Sequence, residues 1–140
     1  MKILLITLLL IISHPTKSSI QPKKKKGLTE QQVRRIKIIR AISKHESSLN
    51  PDTVNHKEHA IGLLQIRPIM IKEVNNITHK HYTEKDCYSA KKSIEMFVAY
   101  QEHYNPKWDA EKAARLWNGG ATGMNKESTV AYWNAVKNNL

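Results

Sequence analysis

One carboxylic acid stands where an apolar stripe would continue. In "AISKHESSLNP", residues 41–51, Glu46 lies seven residues after Ile39 and four after Ile42. On a helix that spacing puts it on the same face as the isoleucines, close to the C-terminal end. Loss of water around the group penalises its charged form. The negative end of the helix dipole acts in the same direction. Lys44 and His45 oppose both effects from other faces of the helix. A carboxyl kept neutral near neutral pH is what a general acid requires. Burial in an apolar pocket is one way a protein raises such an acid. The spacing is equally compatible with a helix-end Glu hydrogen-bonded to its own turn.

Other reactive groups are sparse. Asp52 and Glu58 follow in an unpatterned segment with no motif around them. His56 with His59, and His79 with His81, have faint metal-ligand spacing. Neither forms an H-E-x-x-H word, and no Cys pair accompanies them. They read as surface histidines, and no metal or other cofactor is expected. Cys87 is the one cysteine, so no internal disulfide can form. It reads as a small buried residue rather than a nucleophile. Gly119-Gly120 reads as a helix stop, not a phosphate cradle.

These groups need elements to hold them. A length of 140 residues fits one domain. Lys2 and the apolar run Ile3–Ile12 resemble a secretory leader, too short for the ~20 apolar residues of a membrane span. We expect a signal peptide over 1–18, a basic flexible linker over 19–27 and a single domain over 28–140. The protein is therefore expected to be secreted or periplasmic, in the cell envelope. The net charge of +11, with Lys23–Lys26, favours anionic partners. The lysine run has no interleaved aromatics, and a leader argues against a nucleic-acid role.

Helical signals dominate the domain. Thr29 with Gln32 makes a capping box before Val33, Ile36, Ile39 and Ile42. Asn50-Pro51-Asp52 is a turn, and 53–66 reads as a loop with a small hairpin or single turn. Pro68 opens a helix striped by Met70, Val74 and Ile77. Thr83 or Asp86 caps the next, with Ala90, Ile94, Phe97, Gln101 and Tyr104 on one face. Asp109 caps a short helix bearing Ala110, Ala113, Ala114 and Trp117. Val130, Trp133, Val136 and Leu140 stripe the last. The expected fold is mainly α: five helices and a minor β or irregular segment after the first.

Three words occur in order along these elements: "ESSLNP" at 46–51, "GLLQI" at 62–66 and "AARLWNGG" at 113–120. Together they resemble the catalytic domain of the soluble lytic transglycosylase type, over roughly residues 31–138. The resemblance implies a lysozyme-like fold and cleavage of peptidoglycan glycan strands. It makes Glu46 the catalytic acid/base. Ser47 then positions the acid and the substrate's N-acetyl group, Gln65 contacts substrate, and Asn118 matches the Asn of the last motif. Two residues depart from the family pattern. Leu64 stands for Met, and Trp117 stands for the Tyr that precedes Asn118. The Tyr hydroxyl is lost, so any hydrogen bond it makes must come from elsewhere, while an indole can stack on a sugar and donate one N–H.

The family mechanism needs one carboxyl. The Glu protonates the oxygen between N-acetylmuramic acid and N-acetylglucosamine while the substrate's own N-acetyl group stabilises the cationic carbon. It then takes a proton from the muramyl C6 hydroxyl, and a 1,6-anhydro ring closes without water. A hydrolytic muramidase is the nearest alternative. A catalytically silent, wall-binding component of a secretion or conjugation apparatus is the next. The domain carries no recognisable wall-binding repeat, which suggests delivery by a larger envelope-spanning assembly. A monomer is expected.

Overall fold

The computed structural model describes residues 27–140. The expected signal peptide and nearly all of the expected linker lie outside the described residues. Five helices and one small hairpin follow in order.

Helix α1 runs Glu30–Ser47. Its start is the expected capping box: the Gln32 N–H donates to the Thr29 hydroxyl at 3.2 Å, and the Thr29 N–H donates to Gln32 Oε1 at 2.9 Å. Its buried face is rotated from the one expected. Ile38, Ala41 and Ile42 are in the core, whereas Ile36 is 50% exposed and Val33 is also exposed. In the first two turns of α1 Val33 borders an open cavity with Trp108, Ala110 and Leu140 and is left partly in solvent. Only from Ile38 onward does the helix lie on the core, with Ile39 at its edge. Ser48 and Leu49 take left-handed backbone angles. Their N–H groups donate to the Lys44 and Ser43 carbonyls, which ends the helix at Ser47.

The segment after the Asn50-Pro51 turn is a two-stranded antiparallel hairpin, β1 (Val54–Asn55) and β2 (Ala60–Ile61). Val54 pairs with Ile61 and Asn55 with Ala60. The chain then doubles back through Gly62–Gln65, and Ile61 and Ile66 exchange backbone hydrogen bonds of 3.1 and 2.9 Å. Gly62 has φ +80°, and a Cβ there would meet the Cys87 carbonyl oxygen at 1.9 Å. Only glycine meets both conditions. Cys87 lies fully buried beneath this turn. Burial, and then the charges of Asp86 and Glu84, push its thiol up to about 11. It is a packing residue here, with no thiolate at neutral pH.

Helix α2 spans Pro68–Thr78 with Pro68 in its first turn. A 3-10 turn over Glu84–Tyr88 is capped by Thr83 with Asp86. The longer helix α3, Ala90–Tyr104, is capped instead by Ser89. Two capping signals thus serve two successive elements. Helix α4 is Ala110–Gly119, capped by Asp109. Helix α5 is Ser128–Val136, and Leu140 lies beyond it, 48% exposed. Helix α4 packs on α5, α2 on α3, and α1 on α4, α5 and the chain end. Phe97, Tyr100, Trp108, Leu116 and Trp117 fill the centre with Ile42, Leu64 and Ile66. Gln101 is fully buried among them: its amide donates to the Ala113 carbonyl at 3.2 Å and its oxygen accepts from Asn105 at 3.1 Å. No helix of the described residues is long and apolar enough to cross a membrane.

Candidate active site

The three sequence words meet because two side chains hold the carbonyls of the middle one. Ser47, at the end of α1, is buried, and its hydroxyl donates to the Leu63 carbonyl at 2.8 Å, with the Ser43 carbonyl at 3.1 Å. Trp117, on the buried face of α4, donates its indole N–H to the Leu64 carbonyl at 3.0 Å. These two bonds fix the Gly62–Ile66 turn between the helices. Glu46, Gln65 and Asn118 thereby share the lining of one cavity of about 240 Å³.

Ser47 therefore has a different place from the one the resemblance implied. It does not line the cavity; the hydroxyl that was expected to reach substrate is spent inside the protein. Trp117 lies at the cavity, where the resemblance placed it. It is only 4% exposed, however. Phe97 and Tyr100 pack against its ring in T-shaped contacts at 4.8 and 5.8 Å. Its N–H is already bonded, so it forms an inner wall and offers no open face for stacking on a sugar. The reason is the apolar face of α4, which carries Ala113, Ala114, Leu116 and Trp117 into the core.

Gln65 lies on the cavity in a left-handed conformation, φ +47°. Its amide nitrogen donates to the Thr53 carbonyl at 3.1 Å and the Gly62 carbonyl at 3.0 Å. Both amide hydrogens are thus engaged, and its oxygen is the group left to accept from a ligand. Asn118 sits at the end of α4, where Gly120 at φ +80° stops the helix. Its backbone carbonyl accepts from the Arg67 guanidinium at 3.1 Å, which brings Arg67 to the cavity wall.

Glu46 is partly buried on the floor of this cavity. Burial pushes its carboxyl up to about 7, against the pull of a Tyr132 hydrogen bond and the Arg67 charge; the Glu58 charge adds a smaller upward push. The Tyr132 hydroxyl, from α5, donates to Glu46 Oε1 at 2.6 Å. Burial first, and the Glu46 charge second, hold the Tyr132 phenol far above its ordinary range, so it remains a donor. The His45 ring meets the Tyr132 ring edge-on at 4.8 Å.

Tyr132 supplies the hydroxyl that Trp117 lacks. Sequence reasoning missed it because the last helix was read through Val130, Trp133 and Val136. The stripe one residue away, Thr129, Tyr132 and Val136, contains the buried positions and the one phenol. Glu58 was also missed. The hairpin folds back so that Glu58 and Asn55 line the cavity with Glu46. His56 and His59 are exposed on the same loop. Among the described residues no three His, Cys, Asp or Glu side chains are grouped to hold a metal ion.

A family model for the transglycosylase SLT domain matches residues 21–139, most of the chain. The chain belongs to this family. No curated protein was found to match it in sequence. Among solved structures it is similar to the Tapes japonica lysozyme, at 19% identity and a TM-score of 0.62, over 72% of this chain and 86% of that one. The fold of this transglycosylase SLT domain is therefore lysozyme-like and mainly α, and its substrate is peptidoglycan. In this domain Glu46 and Tyr132 share the cavity through their 2.6 Å hydrogen bond.

Proposed function

We propose that the protein is a lytic transglycosylase of the cell envelope that breaks the bond between N-acetylmuramic acid and N-acetylglucosamine, leaving 1,6-anhydromuramyl ends. The observation that carries this reading is the Glu46–Tyr132 pair. An acid poised at about 7 holds its proton at the start of the reaction and gives it up without a large penalty. Once Glu46 is ionised, the Tyr132 hydroxyl and the Arg67 charge stabilise the carboxylate. Glu46 can then act as base in the same turnover.

The first step transfers the Glu46 proton to the glycosidic oxygen as the bond to muramyl C1 breaks. The neighbouring N-acetyl oxygen closes on C1 and carries the positive charge. Gln65 Oε1 accepts from the N-acetyl N–H and Asn118 binds a sugar hydroxyl or carbonyl. In the second step the C6 oxygen displaces the N-acetyl oxygen from C1, and its proton returns to Glu46. No water is consumed. A polymeric substrate suits the wall shared through Arg67, Met70 and Asn118 with a second cavity of about 450 Å³, which lengthens the cleft. Export through the leader over 1–18 would bring the enzyme to this substrate, and a larger envelope-spanning assembly would hold it there.

The experiment is digestion of purified peptidoglycan with mass spectrometry of the products. Anhydromuramyl ends are expected, and Glu46→Gln should lose at least ~100-fold in rate. Products with reducing ends alone would replace transglycosylation by hydrolysis. Wall binding without turnover, unchanged in Glu46→Gln, would identify a silent binding component.

A further inference from the structure

Glu58 is the one other carboxylate on the cavity that holds Glu46. It sits in the four-residue loop between β1 and β2, and this loop is held at its base by the Asn55–Ala60 pair. Its backbone N–H donates to Asn55 Oδ1 at 3.3 Å, so the residue is anchored next to another cavity residue. The ion pairs of the described residues are Arg35–Glu102, Lys92–Asp86 and Arg115–Glu111, and Glu58 belongs to none of them. Its charge is therefore not spent on a neighbouring cation.

The two acids differ in surroundings. Glu46 is partly buried in the cavity, while Glu58 is exposed. Inverting glycosidases use a second carboxylate to activate water. The anhydro route needs only Glu46, because the C6 hydroxyl is already attached to the substrate. Water needs a group that orients it and accepts its proton.

We propose that Glu58 directs a water molecule to muramyl C1 and so gives this transglycosylase a hydrolytic branch. Glu46 first protonates the glycosidic oxygen, and the C1–oxygen bond breaks as in the anhydro route. The water oxygen then bonds to C1, and the bond from C1 to the N-acetyl oxygen breaks. One water proton passes to the Glu58 carboxylate and from there to solvent, while Glu46 regains its proton from solvent. One water is consumed, and the fragment leaves with a reducing end. Product composition is then set by competition between the C6 hydroxyl and the water held by Glu58.

The inference rests on glycan cleavage by Glu46. Its test reads the ratio of reducing to anhydromuramyl ends, so a change in overall rate does not affect it. Peptidoglycan is digested with the full chain, and products are reduced with borohydride and quantified by mass spectrometry. The wild type should give both kinds of end. Glu58→Gln should lower the reducing-to-anhydro ratio at least ~100-fold, the lower edge of what general-base assistance contributes, and Glu58→Asp should restore part of it. Lys57→Gln, one residue away and outside the cavity, should leave the ratio as in the wild type. An unchanged ratio in Glu58→Gln, or a wild type that yields no reducing ends, overturns the inference while leaving cleavage by Glu46 intact. A wild type that cleaves nothing overturns both.

Discussion

Replacing Glu46 with Gln should make the protein more stable at the pH where it makes it inactive. The Glu46 carboxyl moves from 4.5 in an ordinary setting to about 7 in the folded protein, chiefly through loss of water. A raised carboxyl binds its proton more tightly folded than unfolded. Its contribution to stability is therefore fully present below about pH 4.5 and is lost as pH rises toward 7. At about 1.4 kcal/mol per pH unit, the loss above pH 7 amounts to about 3 kcal/mol. Glutamine has nearly the same shape, stays neutral at every pH, and keeps an oxygen to accept from Tyr132. Urea unfolding of both proteins from pH 4 to pH 8.5 measures the difference. The variant should match the wild type near pH 4 and exceed it by up to about 3 kcal/mol at pH 8. A difference that does not vary with pH would refute the desolvation account of Glu46. So would a variant that is less stable at pH 8 than at pH 4 relative to wild type.

Two further variants separate the residues around the acid. Tyr132→Phe removes a hydrogen bond that favours the ionised carboxylate, of a kind worth about 1.5–3 kcal/mol. With Arg67, Glu58 and His45 still facing Glu46, the basic limb of the kcat/KM profile should move up by about one to two pH units; a limb that stays in place would separate Tyr132 from proton transfer. Trp117→Phe leaves the buried Leu64 carbonyl without its donor and shrinks a core ring, which should cost about 1–3 kcal/mol in urea unfolding. If instead stability held while KM alone rose, the indole would be a sugar platform rather than a wall.

The helices were legible because their signals are local. Thr29 with Gln32, Pro68, Asp109 and Gly119-Gly120 each act within a few residues, and the structure has each at a helix end. The small hairpin after α1 was open in the sequence as hairpin or turn, since two-residue strands have too short a period to read. The α1 face differs by one step because Val33 and Ile36 have the right spacing, yet both are exposed and Ile38, Ala41 and Ile42 are the buried positions. Gln65 and Asn118 were expected at the site and do line its cavity. Trp117 lines it too, while Ser47 does not, and both point their donors at backbone carbonyls.

The amino-acid sequence by itself determined that an acid would sit at the buried end of the first helix, because helical period and residue polarity are properties of adjacent residues. The same period along the chain prescribed five helices, and the three ordered words prescribed the family. Only the tertiary structure decided what surrounds that acid. Tyr132 reaches Glu46 across 86 residues of chain, and Glu58 reaches the cavity because a hairpin folds back over it. Neither partner leaves a mark in the local pattern, since each is brought there by the packing of one element against another. The energy of Glu46 is set by those neighbours and by the water they exclude, and these exist only once the chain has folded.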